Sequence, residues 1–128
     1  MMQSYRNLQV WQKSMEMVDL VYAATKHFPK EETYGLASQV RRCVVSVASN
    51  IAEGSQRGKK EFIQFVVIAY GSLAEVETQI EIAFRQNYIS DDERKEIFDL
   101  TAEVGRMLNG LSKSLESSTA NRKLQTGN

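Results

Sequence analysis

Apolar side chains recur at three- and four-residue intervals along nearly the whole chain, and a single proline, Pro29, interrupts them. That interval lines up one face of an α-helix, whereas a strand would alternate. One proline and seven glycines are also too few for a loop-rich β-sandwich or a flexible linker. The sequence therefore predicts long helices.

Four segments carry the pattern. The first starts near Asn7, a good N-cap residue, and places Leu8, Trp11, Met15, Val18 and Tyr22 on one stripe. It stops at Phe28-Pro29, because the residue before a proline is pushed out of the helical region. The second runs from about Thr33 to Glu53, with Leu36, Val40, Cys43, Val47 and Ile51 inward, and Gly54 as its C′ residue. The third follows the turn Gly54-Ser55-Gln56-Arg57-Gly58 and carries Phe62, Phe65, Val66, Ala69, Leu73, Val76, Ile80 and Phe84, fading at Asn87-Tyr88. The fourth opens on Ser90-Asp91-Asp92-Glu93, a capping box with acids that suit the helix dipole. Its stripe is Ile97, Leu100, Val104, Leu108, Leu111 and Leu115. At 128 residues there is room for one domain. The fold class predicted is all-α, an antiparallel up-down-up-down four-helix bundle over residues 1–116. Residues 117–128 are polar and aperiodic and are expected to form a flexible tail.

Two helices hold more apolar surface than one bundle can bury. Phe62 to Tyr70 contains one polar residue, Gln64, so the third helix is apolar all round. Ile63, Val67 and Ala74 point away from its core stripe, and on the second helix Val45, Ala48 and Ala52 form a small-residue strip beside the main one. A 128-residue bundle has no second layer to cover these faces. They are the candidate contacts of a homo-oligomer.

Sixteen basic and sixteen acidic residues cancel, but not locally. Residues 1–60 sum to +4 and residues 61–116 to −6. Arg57, Lys59 and Lys60 gather at the start of the third helix, where the dipole favours anions. Cations placed against the dipole beside free N–H groups make a candidate phosphate site, with Arg41 and Arg42 as further candidates for RNA or DNA contact. Pairing with Glu53 and Glu61 is the plainer reading of the same charges. A polar stripe of Gln39, Arg42, Ser46, Asn50 and Glu53 on the second helix could face Ser72, Glu75 and Gln79 on the third, with Gly71 permitting close approach. It would then be an interhelical hydrogen-bond network or a pocket.

Catalytic chemistry finds little footing. His27 is the only histidine, expected to cap its helix C-terminus, and Cys43 the only cysteine, expected in the core. One histidine cannot build a di-iron bundle site, and one cysteine allows neither an intrachain disulfide nor a cysteine metal site. No phosphate-binding loop, nucleophile elbow or dinucleotide fingerprint is present. The expectation is a protein that is not an enzyme and takes no cofactor or metal. The methionines Met15, Met17 and Met107 read as core filler. With no signal sequence and no apolar run near the roughly 20 residues of a membrane span, a cytoplasmic location is expected.

A family resemblance rests on specific runs. Tyr5-Arg6-Asn7-Leu8-Gln9-Val10-Trp11-Gln12-Lys13, then Phe28-Pro29, Glu32-x-Tyr34-Gly35-Leu36 and Gln39-x-Arg41-Arg42 resemble the 23S rRNA intervening-sequence protein family. The most specific run is Ser46-x-x-Ser49-Asn50-Ile51-Ala52-Glu53-Gly54, followed by Lys60-Glu61-Phe62, Phe65, Ile68-Ala69, Gly71-Ser72 and Glu75. The resemblance implies an up-down bundle that assembles into a ring-like homo-oligomer, commonly a pentamer. Several members are encoded within intervening sequences of bacterial 23S rRNA genes. A related branch serves diversity-generating retroelements, binding nucleic acid and a reverse transcriptase. The expected function is a non-enzymatic oligomeric bundle that contacts RNA or DNA, with a protein-interaction scaffold as the alternative.

Overall fold

The structure, a computed structural model, describes the backbone of residues 4–125 and the side chains of residues 4–118. Four helices account for most of the chain: α1 (Gln9–Thr25), α2 (Leu36–Ser55), α3 (Lys59–Arg85) and α4 (Asp91–Gln125). Short 3₁₀ turns at Tyr5–Asn7 and Lys30–Glu32 precede α1 and α2, and no strand occurs among the described residues. The fold is all-α, as the periodicity requires.

The helix ends follow from local chemistry. Asn7 lies in the 3₁₀ turn and does not cap α1; Leu8 takes the N-cap position without a side-chain bond, while Ser4 caps the 3₁₀ turn. α2 begins at Leu36, later than Thr33, because Lys30–Glu32 forms its own turn. There Glu32 Oε1 accepts the Leu36 N–H at 3.0 Å, replacing the missing cap, and its Oε2 accepts the Tyr88 hydroxyl at 3.0 Å. α3 stops where Asn87 enters the left-handed region at φ 65°. Tyr88 N–H then reaches Ala83 O and Asn87 N–H reaches Phe84 O, the paired bonds of a Schellman ending. The capping box of α4 forms as expected: Glu93 N–H donates to Ser90 Oγ at 3.1 Å and Ser90 N–H to Glu93 Oε1 at 2.9 Å. α4 continues as helix to Gln125 through the segment expected to be a tail, which holds no glycine or proline before Gly127. Residues 126–128 of that segment lie outside the described residues.

Each helix packs on two neighbours, α1 on α2, α2 on α3, α3 on α4 and α4 on α1, and among the described residues the backbones of diagonal helices do not approach as closely. Registers descend along one helix as they climb along the next. His27 meets Glu93 and Lys13 meets Glu103 across α1 and α4, and Arg94 meets Glu81 while Thr101 meets Glu77 across α3 and α4. That is the relation an up-down bundle requires.

The core is aliphatic: Met17 and Val21 from α1, Val40, Val44, Val47 and Ile51 from α2, Val76 and Ile80 from α3, Ile97, Val104 and Leu108 from α4. On α1 the inward stripe is Val10, Ser14, Met17, Val21 and Ala24, not the expected one. Leu8, Trp11 and Val18 are only half-buried, and Met15 and Tyr22 are exposed, so Met15 is not core filler. Both stripes have helical spacing; the smaller side chains face inward, where α2 and α4 approach.

Gly54 is buried inside α2 and does not end it. A Cβ at this position would lie 2.6 Å from Phe65 Cβ and 2.9 Å from Phe62 Cδ1. Gly71, expected to allow close approach, faces open space instead. The two glycines therefore respond oppositely to alanine. Gly54→Ala should cost about 1–3 kcal/mol through overpacking, whereas Gly71→Ala should gain about 0.5–1 kcal/mol through helix propensity. Urea midpoints check both, and an unchanged Gly54→Ala midpoint would refute the close approach.

Candidate interaction surfaces

The apolar surface left over after the core is filled lies on two flanks. On α3, Val67 is 62% exposed and Ile68 and Tyr70 are each 51% exposed. Around the helix axis Val67 groups with half-buried Ile63 and exposed Ala74 into one ridge. Ile68 lies further round, toward α2. The other flank is a groove of about 290 Å³ between α1 and α2, walled by Tyr5, Trp11, Met15 and Val18 on one side and Val45, Ala48 and Ala52 on the other. Of the oligomer candidates, Val45, Val67 and Ala74 are exposed, Ile63 and Ala52 half-buried, and Ala48 is buried as the groove floor. The outer stripe of α1 was missed as surface because its spacing is that of a core stripe.

The expected polar seam between α2 and α3 is present in part. Ser46 Oγ and Ser72 Oγ are 2.9 Å apart, and Asn50 Nδ2 donates to Ser46 O at 2.8 Å and Ser46 Oγ at 3.0 Å. Cys43 Sγ lies 3.8 Å from Glu75 Oε2. Cys43 is half-buried beside the core, and burial, with the Glu75 carboxylate adding to it, pushes its thiol above the ordinary value. That moves it away from the thiolate a nucleophile requires. Gln39 is exposed, and Glu53 turns to Arg57. The seam joins the two helices over about two turns.

The basic candidates fall into two groups. Arg57 donates to Glu53 Oε1 at 3.0 Å and lies 5.4 Å from the Phe65 ring centroid. Lys59 Nζ donates to Ser118 Oγ at 2.5 Å, and Lys60 is exposed. Gly58 supplies the N-cap of α3 without a side-chain hydrogen bond, so first-turn N–H groups remain unfilled by a cap. Arg41 is committed elsewhere: its Nε donates to Thr25 Oγ1 at 2.7 Å and its guanidinium stacks 4.7 Å from the Tyr22 centroid. Arg42 is exposed on α2. At 1.5 Å rise per residue it stands roughly 22 Å from Arg57 along the helix, so one short contact cannot use both groups.

His27 does not cap α1 but bridges to α4, with Nε2 2.8 Å from Glu93 Oε2. Tyr34, in the turn before α2 and part of the run Glu32-x-Tyr34-Gly35-Leu36, is 96% exposed. Among the described residues no cluster of three or more histidine, cysteine or carboxylate side chains could hold a metal. No helix there is long and apolar enough to cross a membrane.

Four helices packed in a closed circuit define the class as a four-helix-bundle protein. The sequence matches the 23S rRNA-intervening sequence protein family over residues 6–110, and the chain belongs to that family. Among solved structures it is similar to a protein of unknown function from the S23 ribosomal protein family of Bacteroides thetaiotaomicron. The two are 25% identical with a TM-score of 0.75, over 81% of this chain and 95% of the other. No match is found among curated proteins.

The Glu93 carboxyl has a measurable consequence. Burial pushes it up, but bonds from Ser90 and His27 outweigh this and hold it below the ordinary value, about 4.3 in an unfolded chain. A depressed folded value means that the unfolded chain binds more protons, so this stabilisation is complete above the ordinary value and is lost as pH falls through the folded one. Glu93→Gln keeps a capping side chain without the charge. It should lose less stability than wild type between about pH 6 and about pH 3, read by thermal melts. Glu81, held low by Arg85, and Asp91, held low by Lys95, leave part of the acid slope in the variant.

Proposed function

We propose that the protein is a non-enzymatic homo-oligomer, an antiparallel up-down bundle that works in the cytoplasm as an assembled scaffold. The exposure of Val67 at 62%, next to Ile63, Tyr70 and Ala74, carries this reading. Burying such a ridge is favourable at about 25 cal/mol per Å² of apolar surface, and a second copy is always at hand. The family resemblance makes a ring-like pentamer the first arrangement to test. A raised Cys43 thiol is a poor nucleophile and His27 is engaged by Glu93, and both suit a non-enzymatic reading. No cofactor or metal is assigned.

A second reading adds nucleic acid. It is supported by Lys59 and Lys60 in the first turn of an α3 that has no side-chain cap, beside Arg57. The family's description concerns 23S rRNA intervening sequences, so RNA of that kind is the first ligand to try. If these cations contact phosphates, binding should weaken as salt rises, and charge reversal at all three should abolish it. A protein partner held by the scaffold would instead be retained by the charge-reversed variant.

Two measurements decide. Light scattering at micromolar concentration should give a mass several-fold above the 14.5 kDa chain; a single-chain mass overturns the assembly reading. Binding of rRNA-like and duplex fragments at two salt concentrations should show a negative salt slope. No binding at low salt, or no slope, overturns the phosphate reading.

A further inference from the structure

The apolar groove lies on the α1–α2 edge, and the ridge lies on the α3–α4 edge, where Tyr70 and Ala74 line a cleft with Ala102 and Gly105. The α1–α4 edge is of another kind. Along α4, Asp92, Glu96, Asp99 and Glu103 follow one another at four- and three-residue intervals, which sets them on one line of the helix. Along α1, Glu16, Asp19 and Ala23 do the same. The two lines flank one seam. Lys13 lies 3.4 Å from Glu16 and 4.0 Å from Glu103, and further along Ala23 and Glu96 wall a common cleft. With Glu93 the edge holds seven carboxylates against two lysines, Lys13 and, seven residues past Asp19, Lys26. Lys13 is engaged within the edge, whereas Asp19, Asp92, Glu96 and Asp99 are exposed and form no ion pair among the described residues.

The cleft between the lines has an apolar floor. Leu20, Ala23 and Ala24 of α1 and Ile97 of α4 line about 200 Å³, with Glu93 and Glu96 at the side. Ala24 and Ile97 are buried, whereas Ala23 is exposed and leaves the cleft open. Pockets for small molecules run from roughly 300 to 1,000 Å³, so this one suits a single inserted side chain better. The carboxylates run along the edge, and among the described residues no cluster could hold a metal. A second copy set face to face there would bring like charges together. An apolar seat bordered by unpaired carboxylates complements a cationic chain that carries an apolar side chain. The buried anchor supplies affinity and the cations supply steering.

We propose that the α1–α4 edge docks a basic segment of a partner protein, with one apolar side chain in the cleft and lysine or arginine side chains along the two acidic lines. This rests on the scaffold reading and names the kind of partner that the scaffold holds. It does not require self-assembly. Nor does it use the cations of the phosphate reading: Glu93 and Ser118, which meet His27 and Lys59, lie roughly 38 Å apart along α4.

The probe is a fluorescein-labelled peptide of alternating arginine and leucine, titrated with the full chain and read by anisotropy beside arginine–serine and glutamate–leucine peptides. The arginine–leucine peptide should bind best, the arginine–serine peptide about tenfold more weakly, and the glutamate–leucine peptide not at all. Affinity should fall as salt rises. Glu96→Lys should weaken binding about fivefold or more, whereas Glu116→Lys, the same change of charge on a distant exposed turn of α4, should leave it within about twofold. Ala23→Phe, which fills the cleft, should remove the advantage of leucine over serine. Equal losses in Glu96→Lys and Glu116→Lys overturn the proposal, as does a leucine advantage that survives Ala23→Phe. A wild type that binds no peptide at low salt overturns it as well. Circular dichroism confirms helicity, and Glu96→Gln or Ala23→Leu replaces the corresponding variant if it unfolds, read in the same way. Peptide binding by a wild type of single-chain mass supports the docking and defeats assembly alone, whereas an assembled wild type that binds no peptide defeats the docking alone.

Discussion

The close approach of α2 and α3 at Gly54 governs much of the bundle. Without a side chain there, Phe62 and Phe65 pack directly on the α2 backbone. Further along the same interface Ser46 meets Ser72, so the two helices are joined by steric fit at one end and by hydrogen bonds nearer the middle. A polar pair between aliphatic layers adds little net stability, but it penalises a slipped register, in which a buried hydroxyl would lose its partner. Once α2 and α3 are registered, α1 and α4 close the circuit and the side-chain contacts at their ends follow.

That closure accounts for the surfaces left outside. Four helices in a circuit bury one stripe each, and α1 and α3 each bring more than one stripe of apolar residues. The surplus is therefore not spread evenly. It forms a groove on the α1–α2 edge and a ridge on the α3–α4 edge. The basic residues divide in a comparable way. Arg41 is drawn into the bundle by Thr25 and Tyr22, Arg57 is paired with Glu53, and Lys60 and Arg42 remain exposed at well-separated places.

Much of the architecture was legible in the residues. The capping box at Ser90 and Glu93, the end of α3 at Asn87 and the apolar stripes of α3 and α4 follow from local rules, because a cap or a left-handed turn depends on a few adjacent residues. The seam was legible in type but not in membership. Ser46, Asn50 and Ser72 join it, whereas Gln39 and Glu53 do not, since a polar residue at helical spacing can turn to water or to a neighbour on its own helix. The Glu32 contacts were not legible, for the partner of Glu32 is Tyr88, distant in sequence and brought close only by the fold.

By itself the sequence determined that the chain makes helices, roughly where they begin and end, and that their apolar faces outnumber the core positions. Periodicity reports spacing, and two stripes of equal spacing on α1 look alike. Only the tertiary structure decided which of them turns inward: the stripe of Val10, Ser14, Met17, Val21 and Ala24, whose smaller side chains admit the neighbouring helices. The bulkier Trp11, Met15 and Tyr22 were thereby left at the surface. The phase of a helix is set by what packs against it, and that is a property of the assembled fold.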